Sequence, residues 1–327
     1  MRLRPLNLIP LIEDTLKAAE NWLAQNQTTD FREVLLQLYF RLHVFLRTAE
    51  FYDASYRTIV ESQDGVKLRL FCLDPASRIR AACEPAQATV FFSGTLSPMD
   101  YYRALLGGEE TDRQLQLPSP FPPENLVVLV NDKIRTDLKN RVATLAEIVN
   151  GIRELVAGRQ GNYLVYFPSY QYLNVALDQF REAHPEIAII EQRPRMSEAE
   201  REEFLAAFAA DHNKTLVGFA VLGGIFGEGI DLTGERLIGA VIVGVGLPQL
   251  CVERDLICDY FQERTGAGFE YAYTFPGMNR VLQAAGRVIR SETDRGTVLL
   301  IDRRFAEARY NQLFPKHWAL RSFELRT

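Results

Sequence analysis

Hydrophobic positions along this chain change their period twice. In the first 60 residues they recur at helical steps, with Leu11, Ile12, Leu16, Ala19 and Leu23 separated by charges. Thr29-Asp30 reads as the N-cap of a second helix carrying Phe31, Val34, Leu35, Leu38, Tyr39, Leu42, Phe45 and Leu46. Two amphipathic helices with a short polar link predict a hairpin, and no catalytic constellation falls within it. Val66 to Phe71 then alternates as a strand does. Ala88 to Phe92 is a short apolar run, read as another strand, ending at Ser93-Gly94-Thr95-Leu96-Ser97-Pro98. Tyr101 to Leu106 predicts a helix stopped by Gly107-Gly108, and the prolines of residues 117–123 mark a domain boundary.

Beyond that link, strands and helices alternate. Strands are expected at Leu126–Val130, Tyr163–Phe167, Ile187–Ile190, Thr215–Ala220, Ile238–Val243 and Val298–Ile301. Helices are expected at Leu138–Val156, Tyr170–Ala183 and Ser197–Ala210, the last capped by Ser197 with Glu200 three residues on. The strands are almost wholly apolar, as they must be when helices cover both faces of a parallel sheet. The fold class is therefore α/β, preceded by a small helical hairpin.

Composition narrows the classes. A hydrophobic share of 47% and a charged share of 24% are those of a soluble globular protein, and 327 residues suffice for roughly two domains. No apolar run is long enough to cross a membrane as a helix. Met1 to Pro5 carry two basic residues with no following apolar core and small-residue cleavage site, so no secretory signal is expected. Cys72, Cys83, Cys251 and Cys258 form no CxxC, and His43, His184, His212 and His317 form no HxxxH, so no metal site is expected. Reduced core cysteines point to a cytoplasmic location. A net charge of -5 excludes coating nucleic acid by bulk charge, so any such contact must be a local groove.

The densest chemistry lies in Gln283-Ala284-Ala285-Gly286-Arg287-Val288-Ile289-Arg290. Arg287 and Arg290 are three apart and would share one face of a helix. Two planar cations on one face suit a polyphosphate better than a single carboxylate; the plain alternative is a solvated surface helix. Ligands of open parallel sheets sit outside the carboxyl ends of strands. The segments after the predicted strands include Ser93-Gly94-Thr95, Pro168-Ser169-Tyr170, Phe226-Gly227-Glu228-Gly229-Ile230-Asp231 and Gly244-Val245-Gly246-Leu247-Pro248.

Taken in order, these segments resemble the superfamily 2 DNA helicases of the XPD/DinG type. Phe92 to Pro98 looks like that family's motif III, and Leu164 to Tyr170 like motif IV. Phe226 to Asp231 with Gly246-Leu247-Pro248 looks like motif V. Gln283 to Arg290, followed by Asp294-Arg295-Gly296 and Ile301-Asp302 with Arg304, looks like motif VI. The match covers about residues 65 to 315. The sequence contains no GxxxxGK[ST] and no Asp-Glu-x-His run, nor the four cysteines of the iron–sulfur cluster that many members carry.

The resemblance implies the C-terminal half of such a helicase, with a RecA-like second motor domain. Residues 1–60 would be the tail of an arch domain, 61–117 the last strands of the first motor domain, and 118–327 the second motor domain. Arg287 and Arg290 would be the catalytic arginines. Gln283, Gly286, Glu228, Gly229 and Asp231 would bind or sense nucleotide. Ser93, Gly94, Thr95, Pro168, Ser169 and Tyr170 would contact single-stranded DNA. For Ser169 and Tyr170, a helix cap and a packed aromatic fit equally well. Phe121, Tyr170 and Tyr271 are candidate base-stacking platforms. The intact machine would use ATP and Mg²⁺ and move 5′ to 3′; this chain alone would bind neither, and an iron–sulfur cluster would belong to the other half. Its partners would be single-stranded DNA and the first motor domain, with no membrane. The rival expectation is a non-catalytic nucleic-acid or nucleotide-binding module working in trans with a partner lobe. A third is an α/β scaffold with decayed motifs.

Overall fold

The computed structural model describes residues 5–26, 29–63, 65–210, 214–227 and 229–324. Two compact units emerge: Met1–Thr89 with Arg103–Glu110 and Cys251–Gly268, and Val90–Tyr102 with Thr111–Leu250 and Phe269–Thr327. Compactness does not follow chain order, because Cys251–Gly268 belongs to the first unit although it lies inside the 118–327 span expected to be one domain.

In the first unit, α1 (Ile9–Gln25) and α2 (Asp30–Glu50) are the predicted helices. Helix α1 buries Ile12, Leu16, Ala19 and Leu23 of the expected stripe, while Leu11 stands in solvent. Trp22 and Phe31 meet edge to face at 5.4 Å. Helix α2 departs from the simple picture: Phe31, Val34, Leu38, Phe40 and Val44 are exposed. Strands β1 (Tyr56–Glu61) and β2 (Lys67–Cys72) form an antiparallel pair. Helix α3 (Ala76–Cys83) follows, and the unit closes with α8 (Val252–Thr265). Helix α8 is tied to β2 by an ion pair between Arg69 and Glu253. Tyr260 donates a hydrogen bond to Asp74 at 3.2 Å.

Helix α4 (Met99–Leu105) is divided between the two units at Tyr102, and the second unit is built on a seven-stranded sheet. Its strands are β3 (Leu126–Asn131), β4 (Asn162–Phe167), β5 (Ala188–Glu191), β6 (Leu216–Val221), β7 (Gly239–Val243), β8 (Gly296–Ile301) and β9 (Leu320–Ser322). The order is β5-β6-β4-β7-β8-β3-β9, and every pairing is parallel. Side chains alternate between two cores. Leu164 and Tyr166 of β4 enter one; Tyr163, Val165 and Phe167 enter the other. Helices α5 (Leu145–Ala157) and α6 (Tyr170–Ala183) cover the second face. Helices α7 (Glu198–Ala206) and α9 (Phe275–Ala285) cover the first, and α10 (Ala308–Asn311) follows β8. This is the expected RecA-like α/β arrangement with helices on both faces.

Three sequence expectations need correction. Ala88–Phe92 is not a strand; Val90 and Phe92 are exposed, because the run has no neighbouring ladder to complete among the described residues. The helix expected from Leu138 begins only at Leu145, after turns in which Asn140 donates to Asp137. Leu138 and Val142, the apolar positions that suggested an earlier start, stand in solvent. Helix α7 ends at Ala206 rather than Ala210, though its Ser197–Glu200 capping box forms as predicted. No helix among the described residues is long and apolar enough to cross a membrane.

Candidate nucleotide-facing site

The segment after β6 crosses the face covered by α9. Gly223 takes φ +73°, a left-handed conformation open to glycine at little cost. Phe226 is buried and stacks on Phe204 with ring centroids 4.0 Å apart. The buried Tyr166 hydroxyl donates to the Phe226 carbonyl at 2.9 Å. Burial pushes the Tyr166 phenol well above its ordinary pKa, against the opposing charge of Arg287. Ile230 and Leu232 are buried as well, so the segment is pinned at both ends. Gly229 and Asp231 are exposed between them, and Glu228 lies outside the described residues.

The two arginines do not share a helical face. Helix α9 stops at Ala285, and Arg287 and Arg290 sit on the loop that follows. The loop lies where β3, β7 and β8 begin, not at the carboxyl edge. Asn125, one residue before β3, donates to the Glu292 carbonyl at 2.9 Å, and Gly234, ahead of β7, donates to Asp294 at 3.2 Å. The physical reason is antiparallel packing of α9 on the sheet, which carries the chain back to the strands' starting edge before β8.

Both guanidinium groups nevertheless reach the same segment. Arg287 donates from Nη1 to the Ile230 carbonyl at 3.0 Å and from Nε to the Gly227 carbonyl at 3.4 Å. Arg290 Nε pairs with Asp231 Oδ1 at 3.1 Å, with the arginine side chain 38% and the aspartate 67% exposed. Neither cation is swallowed by the core. Gly286 is exposed beside them.

Asp294 shapes the loop. It accepts from the backbone N–H of Arg290 at 2.7 Å, that of Ser291 at 2.9 Å and the Ser291 hydroxyl at 2.5 Å. Burial would raise its carboxyl; the bonds from Ser291, Arg290 and Gly234 outweigh that and hold it below the ordinary carboxylate range. Sequence reasoning quoted Asp294 without giving it this task. Its signal was an aspartate four residues after Arg290, near enough in the chain for its carboxylate to accept from the N–H groups of the residues before it.

The remaining predicted residues divide. Gln283 Nε2 donates to Thr95 Oγ1 at 3.4 Å, joining segments 188 positions apart. Ser93 and Thr95 hydroxyls lie 3.3 Å apart, and Ser93 and Gly94 are exposed. Pro168, Ser169 and Tyr170 stand instead at the carboxyl end of β4, half-buried. Ser169 caps α6 by accepting from Tyr172 N at 3.3 Å, and the Tyr170 hydroxyl accepts from Gln192 at 2.8 Å. Tyr271 is no open platform: its ring packs 4.9 Å from Tyr101 and 5.8 Å from Phe275. Phe121 packs against the core on the α9 face. Among the described residues, no group of three or more His, Cys, Asp or Glu side chains could hold a metal ion.

Comparison with known proteins agrees with this architecture. The profile of the Helicase C-terminal domain family matches residues 152–321. The ATP-dependent DNA helicase chl1 of Neosartorya fischeri is 25% identical over 295 residues, covering 77% of this chain and 34% of the relative. The regulator of telomere elongation helicase 1 of Bos taurus is 25% identical over 311 residues, covering 82% of this chain and 24% of the relative. This chain thus spans about a third or less of the length of those two proteins. A solved XPD helicase superposes with a TM-score of 0.63 at 18% identity, over 94% of this chain and 55% of its own. Xpd4 of S. tokodaii does so with a TM-score of 0.56 at 13% identity, over 98% of this chain and 70% of its own. At such identities the superpositions speak for the fold alone.

Proposed function

This chain belongs to the Helicase C-terminal domain family, and from that premise we propose that it is the second motor half of an ATP-dependent DNA helicase of the XPD/DinG type. The observation that carries the reading is the pair Arg287 and Arg290. Both are held on the Gly227–Asp231 segment, and both keep part of their surface in solvent.

The geometry suits transfer of a cation to a polyphosphate. Arg287 is held by neutral carbonyls, which orient it without cancelling its charge. Arg290 is held by an exposed carboxylate. Such surface pairs contribute about 0–1 kcal/mol, so a nucleotide phosphate brought close by another lobe can displace Asp231 at little cost. Arginines supplied this way stabilise the charge that spreads over the transferred phosphoryl oxygens. Gln283 would report on nucleotide through its bond to Thr95, in the segment assigned to single-stranded DNA with Ser93 and Gly94. Pro168, Ser169 and Tyr170 would extend that track along the strand ends. Glu228, Gly229 and Gly286 complete the nucleotide-facing set.

ATP itself would be cradled by a first motor domain, since this sequence has no GxxxxGK[ST]. Mg²⁺ would also be held there, and no step of the proposal runs through a metal on this chain. Residues 1–60 would then be the tail of an arch, 61–117 the end of the first motor domain, and 118–327 the second. Movement 5′ to 3′ on single-stranded DNA belongs to the same proposal.

The test is Arg290→Ala in the intact protein. DNA-stimulated ATP hydrolysis should fall by about 10³-fold or more. Hydrolysis at the wild-type rate would refute the assignment. The second reading, a binding module acting in trans without hydrolysis of its own, draws on the missing phosphate-binding loop. It predicts that adding this chain to a separate first motor domain changes nucleotide affinity but not turnover.

A further inference from the structure

Helix α9 carries the chain to the arginine loop, and one side of it has a second use. Tyr271, Phe275, Asn279 and Gln283 recur at four-residue steps along α9 and the turn before it. In an α-helix of about 3.6 residues per turn a four-residue step overshoots, so such a row drifts round the helix. Here Glu270–Thr274 is a π-helix, closed one residue wider. The wider turn takes back part of the drift and keeps Tyr271 in line with Phe275. Their rings lie 5.8 Å apart, and each lies 4.9 Å from the ring of Tyr101.

Each member of the row meets the segment Thr95–Tyr102. Tyr101 is buried against the two rings. Asn279 Nδ2 donates to the Tyr102 hydroxyl, and Gln283 Nε2 donates to Thr95 Oγ1 at 3.4 Å. The chain before Thr95 has no such anchorage: residues 84–94 are exposed throughout, whereas Thr95 to Met99 are half-buried. Thr95 is therefore the point at which the segment comes onto α9. The compact unit built on the seven-stranded sheet includes Val90–Tyr102.

Asn279 lies in none of the segments that carry the helicase resemblance. Its Oδ1 is buried and has no hydrogen-bond partner among the described residues. Stranding a buried acceptor is unfavourable, and a leucine of similar size would avoid it. Stability alone is a poor reason for an amide there; what the amide supplies is a donor aimed at Tyr102. Burial raises the Tyr102 phenol above its ordinary pKa, so the accepting hydroxyl stays neutral.

We infer that Asn279 is a positioning residue: through Tyr102 it seats the Thr95–Tyr102 segment on α9, and so sets Ser93, Gly94 and Thr95 for contact with single-stranded DNA. The clasp stands on the geometry; its use in DNA contact rests on the helicase reading.

Asn279→Leu, Tyr102→Phe and the double variant are compared with the wild type. In the purified chain, amide exchange across residues 95–102 is read by mass spectrometry. Either substitution should quicken it about tenfold, the loss of one hydrogen bond, and the double variant should go no further. The Tm of Asn279→Leu should stay near that of the wild type, since removing the stranded oxygen offsets the lost bond. Tyr102→Phe carries the test if the leucine variant does not fold. In the intact protein, DNA-stimulated ATP hydrolysis separates positioning from general support. The DNA concentration for half-maximal stimulation should rise about threefold or more in Asn279→Leu, because fewer molecules present the seated segment. The kcat at saturating DNA and the KM for ATP should stay unchanged, a split that a merely structural residue would not produce. Unchanged exchange across residues 95–102 would overturn the clasp and leave the helicase reading in place. Faster exchange with unchanged half-saturation by DNA would keep the clasp and overturn its use in DNA contact. An intact wild type without ATP hydrolysis would refute the helicase reading, and the exchange result would still decide the clasp.

Discussion

Asp294 accepts the backbone N–H of Arg290 at 2.7 Å, so the arginine is placed by an acid four residues ahead of it and not by a helix. The same carboxylate accepts from Ser291 twice and from Gly234. A loop carrying two cations, Arg287 half-buried and Arg290 exposed, would otherwise be free to spread. Asp294 fixes its backbone and leaves the guanidinium groups to meet Asp231 and the carbonyls of Gly227 and Ile230.

Asp294→Asn exchanges an acceptor oxygen for an NH₂ group that faces existing donors. It should destabilise the chain by about 2 kcal/mol, the cost of leaving buried donors unmet. Urea unfolding should show a lower midpoint at unchanged slope. The same residue should also contribute to acid sensitivity. Its folded pKa is depressed, so its contribution is complete above the ordinary carboxylate range and is lost as pH falls through the depressed value.

Tyr166→Phe removes the hydroxyl that bonds the Phe226 carbonyl, and among the described residues it leaves that buried oxygen without a side-chain donor. The expected cost is about 1–3 kcal/mol. Amide exchange across residues 226–231 should quicken while α5 and α6, on the other face of the sheet, stay protected. Unchanged exchange in that segment would show that Phe226 stacking on Phe204 suffices to hold it.

The Arg69–Glu253 pair sets a pH-dependent contribution in the first unit. The hydrogen bond from Arg69 holds the Glu253 carboxyl down to about 2 from an ordinary 4.5. A depressed folded pKa stabilises above the unfolded value and loses its effect as pH falls through the folded one. The stability difference between the wild type and Glu253→Gln should therefore be constant above pH 4.5, shrink from there to pH 2, and vanish below it. Denaturant titrations at a series of pH values measure this.

The purified chain should not hydrolyse ATP. In the proposed reading it would supply arginines, and its sequence has no phosphate-cradling GxxxxGK[ST] run. A phosphate-release assay with and without single-stranded DNA should stay at background. Steady release that disappears in Arg290→Ala would show that the chain builds a nucleotide site of its own.

Much of the second unit was legible in the residues themselves. Strands such as Tyr163–Phe167 are continuous apolar runs because both faces are covered, and helix Tyr170–Ala183 is bounded by Ser169 and by its own burial period. Local patterns mark such elements because their period and caps act within a few residues. The pattern misled where an apolar run lacked a structural neighbour. Ala88–Phe92 has strand composition and no ladder to join, and Leu138 and Val142 keep a helical spacing while facing water. Strand β1 escaped notice because it buries the polar Arg57 and Thr58 between Tyr56 and Ile59, and helix α8 because its buried residues are two adjacent ones, Tyr260 and Phe261, which mark no period.

The sequence by itself determined an α/β chain with chemistry concentrated in Gln283–Arg290 and Phe226–Asp231, since residue type and spacing are local quantities. Tertiary structure alone decided how those groups are used. It ended α9 at Ala285, returned the loop to the starting edge of the sheet, and brought Arg290 onto Asp231, 59 positions away in the chain. Such meetings depend on which strands pair and which faces are covered, and that follows from burying the whole sheet at once.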